Sequence, residues 1–193
     1  MTIHSSESDE TLATQATNGS RAAFEELVFR FGGAVVSLLE RRLRDHHLAL
    51  DLAQEAWVRV FHSLSRFDSS RSFRPWLFSI VLNAARDEGR RRERSRVVSI
   101  DDYRDSLSAK SSVDEVDERA LIEDSLDRVE EPFRTAVLLV DVEGLSYEEA
   151  AESLQVAIGT IKSRVNRGRL AFRDHWVRLS GASAEELTIG GHS

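Results

Sequence analysis

The sequence contains no cysteine in 193 residues, which excludes disulfides and thiolate-ligated metals. Prolines number only two and glycines ten, so helix breakers are scarce. Leu, Ala, Arg and Glu are abundant instead, and all four favour helices. No apolar run approaches the about 18–20 residues a membrane span requires. The longest, "AVVSLL" and "AVLLV", suit core helices, so membrane insertion is not expected. There is no phosphate-cradling glycine loop and no nucleophile–base pair at motif spacing, which leaves an enzyme little support. His46 and His47 are adjacent and so point to different sides of a helix, an arrangement poor for a shared metal. Neither a metal nor another cofactor is expected. The lead-in "MTIHSSESDETLATQATNGS" lacks the apolar core of a signal peptide. Its polar, acidic composition predicts a disordered tail over residues 1–19 of a soluble, cytoplasmic protein.

What is present is charge, unevenly placed. The formal net charge is −7, yet residues 20–97 carry net +5 and residues 98–131 carry net −8. Residues 132–180 are near balance at +1. The acidic stretch "VVSIDDYRDSLSAKSSVDEVDER" is rich in Ser and Asp and lacks helical periodicity before about Val116. A structureless loop of that length is uncommon inside a compact domain. It therefore reads as a linker over residues 97–116. The expected organisation is all-α: two small helical domains, 20–96 and 117–179, and a C-terminal tail at 180–193.

In the first domain, Phe24, Leu27, Val28 and Phe31 recur at helical spacing, and Val35, Val36, Leu38, Leu39 and Leu43 continue the pattern. The Gly32-Gly33 pair between them predicts a break into two helices. A third helix, about Leu48 to Ser65, turns Leu52, Ala53, Ala56, Trp57, Val60 and Leu64 to one face. Asp51, Gln54, Glu55, Val58 and His62 occupy the opposite face, which on the residues alone is ordinary solvated surface. The loop "RFDSSRS" follows, with Ser72 as the expected cap of a fourth helix and Pro75 in its first turn. Phe73, Leu77, Ile80, Val81 and Ala84 form the predicted buried stripe of that helix. Ser79, Asn83, Arg86 and Arg90 line another side with Trp76 at the edge, before "RRRERSR" ends the helix. Arginines that hold phosphates, aromatics that stack on bases and an amide that reads a base edge suit single-stranded nucleic acid. A basic, solvated helix end accounts for the same strip equally well.

The second domain ends in "SYEEAAESLQVAIGTIKSRVNRGRL". Ser146 and Glu149 have capping-box spacing and start a short, Ala-rich helix. Glu148, Glu149 and Glu152 are accounted for by capping and solvation. A turn at "QVA" leads into a longer basic helix, as in a helix-turn-helix. On it, Ile158, Ile161, Val165, Gly168, Phe172 and Trp176 form the expected buried stripe. Lys162, Ser163, Asn166 and Arg167 fall outward, where Arg and Lys would favour guanine and Asn adenine in a major groove.

These residues resemble a known family. "DLAQEAWVRVFHSLSRFDSSRSFRPWLFSIVLNAARDEGRRRER" resembles region 2 of bacterial sigma factors of the extracytoplasmic-function (ECF) class of the sigma-70 family. "LLVDVEGLSYEEAAESLQVAIGTIKSRVNRGRLAF" resembles their region 4. The resemblance implies a non-catalytic initiation factor, a monomer outside the holoenzyme, that binds core RNA polymerase at its clamp helices and flap. It implies that Asp51, Gln54, Glu55, Val58 and His62 dock on the clamp. It assigns Phe73, Trp76, Ser79, Asn83, Arg86 and Arg90 to the melted, single-stranded minus-10 element. It assigns Lys162, Ser163, Asn166 and Arg167 to the duplex minus-35 element. The acidic linker would thread the polymerase's RNA-exit path, and an anti-sigma factor is a further partner that the family often has. The turn reads Leu154-Gln155-Val156-Ala157 where Leu-Gly-Val-Pro is usual, so a strained turn is expected. The alternative reading is a two-domain helix-turn-helix transcriptional regulator whose N-terminal lobe senses a ligand or dimerises.

Overall fold

The computed structural model of the protein describes residues 6–98 and 118–180. Among them are eight α-helices, one 3-10 turn, one π-helical stretch and no strand. The expected linker therefore lies outside the described residues apart from its first two positions, and the C-terminal tail apart from Ser180.

The N-terminal lobe comprises α1 (Asp9–Thr17), α2 (Arg21–Leu43), α3 (His46–Ser63), a 3-10 turn (Leu64–Arg66) and α4 (Phe73–Val98). The first helix corrects the expectation of a disordered lead-in. Leu12, Ala13 and Ala16 are buried against the lobe, too few apolar positions to stand out in so polar a segment. Ser8 caps the helix, and Asp9 and Glu10 sit in its first turn, where the helix dipole favours acid. Arg30 of α2 joins Asp9 at 2.8 Å and the buried Glu26 at 2.9 Å, which fastens α1 to α2.

The glycine pair does not break the chain either: α2 is a single helix of 23 residues. Two interior glycines cost about 1 kcal/mol each relative to alanine. The stripe of Leu27, Phe31, Val35, Leu38 and Leu39 runs unbroken across them, and its burial outweighs that cost. Asp45 caps α3 by accepting a hydrogen bond from Leu48 N–H at 3.0 Å. The start of α4 is met from a distance. The Phe73 N–H donates to Glu10 Oε1 of α1 at 3.0 Å, so a remote carboxylate takes the place expected for Ser72. Burial pushes the Glu10 carboxyl up, but the hydrogen bonds from Phe73 and its neighbours more than offset this and leave it lowered.

The C-terminal lobe comprises α5 (Glu118–Asp127), α6 (Phe133–Val137) extended by π-helical turns over Leu138–Val142, α7 (Tyr147–Leu154) and α8 (Ile158–Ser180). The capping box at α7 is present in both directions: Glu149 N–H reaches Ser146 Oγ at 3.1 Å, and Ser146 N–H reaches Glu149 Oε2 at 2.9 Å. Helix α7 closes on Gln155 in the left-handed region, at φ 56° and ψ 47°. That conformation costs a residue with a Cβ roughly 1–2 kcal/mol, the strain foreseen from the missing glycine.

The two lobes pack on each other, with α7 lying along the first turns of α4. Ser153 Oγ donates to the Pro75 carbonyl at 3.2 Å, Arg71 pairs with Glu152, and Arg74 donates to the Glu143 carbonyl. Glu152, expected to be merely solvated, is thus an inter-lobe partner. A second set of contacts joins the end of α2 to α6. Arg42 meets Thr135 and Glu131, while the almost fully buried Arg134 donates to the Arg42 carbonyl at 3.4 Å.

Within the C-terminal lobe, α8 crosses α6 at Gly168. A Cβ there would stand 2.5 Å from Val137 Cγ2 and 2.9 Å from the Phe133 carbonyl oxygen. Gly168→Ala should therefore destabilise the protein by about 1–3 kcal/mol, despite a helix-propensity gain of about 1 kcal/mol. Urea unfolding checks this; an unchanged or raised midpoint would mean that the helix pair yields at no cost.

Candidate nucleic-acid interface

Helix α8 sorts its residues by angle. Ile161, Val165 and Gly168 are buried, while Lys162, Ser163, Asn166 and Arg167 are all exposed. Ile158, expected in the buried stripe, is instead 41% exposed, because it opens the helix where only the turn from α7 precedes it. The four outward groups occupy the first turns of a helix that follows a capped helix and a tight turn. The Arg167 guanidinium lies 5.8 Å from the centre of the Phe133 ring, which limits its swing. Arg169 is differently engaged: Asp141 takes both its Nε at 3.0 Å and its Nη2 at 2.5 Å. That hydrogen-bonded carboxylate holds the Arg169 pKa above its ordinary value.

On α4 the sequence-predicted strip divides. Trp76, Ser79, Asn83 and Arg86 are half-buried and Arg90 is exposed. Arg86 donates to Asn83 Oδ1 at 2.7 Å, so the Asn83 amide is oriented and its NH2 group is left to donate outward. Ser79 Oγ donates to the Trp76 carbonyl at 2.7 Å, leaving its lone pairs as acceptors. Phe73 does not join them. It is 0% exposed, with its ring 5.8 Å from Phe31, 5.5 Å from Phe67 and 5.6 Å from Trp76. It opens α4 on the face turned to α2 and the loop, so it supports the aromatic cluster instead of meeting a ligand. The aromatic beside Trp76 at the surface is Phe67, half-buried and 5.1 Å away, which the sequence reading passed over.

The loop before α4 is held by Asp68, whose Oδ1 accepts from both Ser70 Oγ at 2.8 Å and Ser70 N–H at 3.0 Å. Those bonds keep the Asp68 carboxyl below its usual range. Beyond the strip, Arg90, Arg91, Arg92 and Arg94 make the exposed end of α4 strongly positive, with Glu88 answering Arg91 and Arg92. Such a surface can hold a phosphate backbone, with an amide and two aromatic rings in reach of bases.

The α3 face also divides. Asp51, Gln54 and His62 are exposed, and Val58 is 55% exposed. Glu55 is drawn inward: Arg59 holds it at 2.7 Å and reaches Asp87 of α4 at 2.9 Å, so this group clasps two helices. Phe61, also 55% exposed and one turn from Val58, enlarges the apolar part of this face. Its spacing from Val58 was the available signal. Phe61 also walls a groove of about 710 Å³ together with Phe24, Val28 and Leu64. Among the described residues no three His, Asp or Glu side chains converge as a metal site would need, and no helix is long and apolar enough to cross a membrane.

Comparison with known proteins follows the same division. Residues 27–95 match Sigma-70 region 2, and residues 119–172 match Sigma-70, region 4. The chain is similar to the ECF RNA polymerase sigma factor SigE of Mycolicibacterium smegmatis, 36% identical over 92% of this chain and 73% of that protein. It is likewise similar to the RNA polymerase sigma-H factor of Pseudomonas aeruginosa, 32% identical over 86% of this chain and 92% of that protein. Among solved structures it is similar to CnrH in complex with the cytosolic domain of CnrY, with a TM-score of 0.68 and 28% identity. That match covers 92% of this chain and 100% of the other. The sigma factor RpoE of Bartonella quintana, in complex with the anti-sigma factor NepR, gives a TM-score of 0.69 at 26% identity. There the coverage is 79% of this chain and 95% of the other.

The burial of Phe73 has a measurable consequence. Phe73→Ala should cost about 3–5 kcal/mol of stability, the usual range for an aromatic removed from a core. Unfolding midpoints check this, and a Phe73→Ala variant as stable as the native chain would return the ring to the binding surface.

Proposed function

The chain belongs to the sigma-70 family, in its ECF class, and is an RNA polymerase sigma factor; from that premise we propose how its surfaces divide the work. Core RNA polymerase and promoter DNA are the partners that the two sigma-70 regions imply. Lys162, Ser163, Asn166 and Arg167 read the duplex minus-35 element. The observation that carries this is their joint outward projection on α8, directly after a capped α7, with Ile161, Val165 and Gly168 holding the opposite side. In that position Arg and Lys meet guanine and Asn meets adenine through the major groove.

Trp76, Ser79, Asn83, Arg86 and Arg90, with Phe67 in place of the buried Phe73, take the single-stranded minus-10 element. Base stacking on the aromatic pair and phosphate contact along the arginines support this, as does the oriented amide of Asn83. Asp51, Gln54, Val58 and His62 dock core polymerase, Phe61 adds apolar area to that face, and Glu55 acts through its clasp on Arg59. The functional domains correspond to residues 20–96 and 117–179. The protein supplies specificity, with no turnover of its own, and works in the cytoplasm beside the polymerase. Two of its structural relatives were solved with partner proteins, one of them an anti-sigma factor, and a regulator of that class fits this chain too. The reading as a self-sufficient helix-turn-helix regulator leaves the α4 strip without a task.

Run-off transcription with core polymerase tests the assignment. Arg167→Ala should weaken binding of a minus-35 duplex by about 1–3 kcal/mol and leave the minus-10 step unchanged. Asn83→Ala should do the converse. Equal effects of both substitutions on an isolated minus-35 duplex would contradict the division. Gln54→Ala combined with Val58→Ala should weaken co-purification with core polymerase by on the order of 1 kcal/mol or more. Tight, specific promoter binding without polymerase would favour the regulator reading.

A further inference from the structure

Helix α4 has more apolar surface than its own lobe can cover. Phe73, Leu77, Val81 and Ala84 turn toward α2 and α3, yet Phe78, Leu82 and Ala85 are also buried. At 100° per residue, Phe78, Leu82, Pro75, Arg86 and Ser79 fall within an arc of about 100°. Pro75 is near the middle of that arc, and its carbonyl accepts the hydrogen bond from Ser153 of α7. Helix α7 therefore sits on this side of α4, and the arc it occupies includes Ser79 and Arg86 and borders Asn83. These are residues of the strip assigned above to the minus-10 element, and the inference rests on that assignment.

We propose that α7 is an internal competitor of single-stranded minus-10 DNA: in the free chain the C-terminal lobe docks on α4 and masks the strip. Space is one part of the competition. Charge is the other, because α7 brings Glu148, Glu149 and Glu152 beside the strip, and their carboxylates repel an approaching phosphate backbone. The contact is built to release. Its polar links are the Arg71–Glu152 pair, the Arg74 bond to the Glu143 carbonyl and the Ser153–Pro75 bond. Arg71 and Glu152 are largely exposed to solvent, so their attraction is screened by salt and weak. Interfaces of this character between domains behave as transient ones. Separation of the lobes uncovers the strip for DNA, so whatever pulls them apart also licenses minus-10 capture.

The test uses the full chain, whose lack of cysteine allows dyes at Ala22→Cys and Asp174→Cys, one on each lobe, to report their separation. Ser153→Glu places a carboxylate against the Pro75 carbonyl and should drive the lobes apart. Energy transfer should fall, and affinity for a labelled single-stranded minus-10 oligonucleotide should rise about tenfold if the docked form holds about nine-tenths of the free chain. The added negative charge opposes nucleic-acid binding, so the rise cannot come from charge alone. Glu152→Gln should move both readouts the same way by less, and an unchanged minus-35 duplex affinity shows that the C-terminal lobe remains folded. Loss of energy transfer with no gain in affinity overturns the masking. Energy transfer that is already low in the native chain, and unmoved by both substitutions, overturns the docked state. An opened chain that holds no oligonucleotide while still supporting transcription overturns the strip assignment itself, and with it the competition.

Discussion

The structure depends on α4 having to bury apolar side chains on two sides of one helix. One side completes the N-terminal lobe, where Phe73, Leu77 and Val81 meet the stripe of α2 and the inner face of α3. The other side, at Phe78 and Leu82, needs a cover that the N-terminal lobe lacks, and α7 provides it. A helix that is apolar almost all round through its first turns is ordinarily a central helix. Here it becomes central only when both lobes are together. The N-terminus of the same helix is secured by Glu10, so α1, the aromatic cluster and the loop around Asp68 all converge on one helix start.

What sequence alone revealed follows from the range of each interaction. The capping box at Ser146 and Glu149, and the outward set Lys162, Ser163, Asn166 and Arg167, are governed by spacings within one or two turns, and both are present. The break expected at Gly32-Gly33 fails because local propensity is outweighed by the buried stripe on either side. Helix α1 was hidden because three small or medium apolar residues in a Ser- and Thr-rich segment resemble a tail until a surface exists to receive them. Glu10 at Phe73 and Glu152 at Arg71 bridge 63 and 81 positions of sequence, and no local pattern announces them. Phe73 illustrates a different failure. Its place in the buried stripe was legible, but the family resemblance also assigned it to the binding surface, and one ring cannot serve both.

Charge is partitioned as strictly as apolar area. The protein is acidic overall, yet the end of α4 and the outward face of α8 are locally basic. Several of the arginines nearby are already committed: Arg59 to Glu55 and Asp87, Arg92 to Glu88 and Asp45, Arg169 to Asp141. These pairs hold helices in place and leave fewer guanidinium groups to seek phosphate. The surfaces proposed for DNA are thus narrow, and specificity falls to a few oriented groups instead of a broad basic patch.

That economy bears on why such a protein would work only with its polymerase. Neutralising many phosphates gives tight but indiscriminate and salt-sensitive binding. A net negative chain with two narrow basic strips forgoes that route, so each strip alone binds weakly. Joining two weak sites raises overall affinity only if both can engage at once, through the effective concentration that a scaffold imposes. When α7 rests on α4, the two strips are held in a geometry in which one masks part of the other. A scaffold that separates the lobes removes the mask and sets the spacing in one step. Promoter recognition then becomes a property of the assembly, and α4 is the helix on which the two states compete.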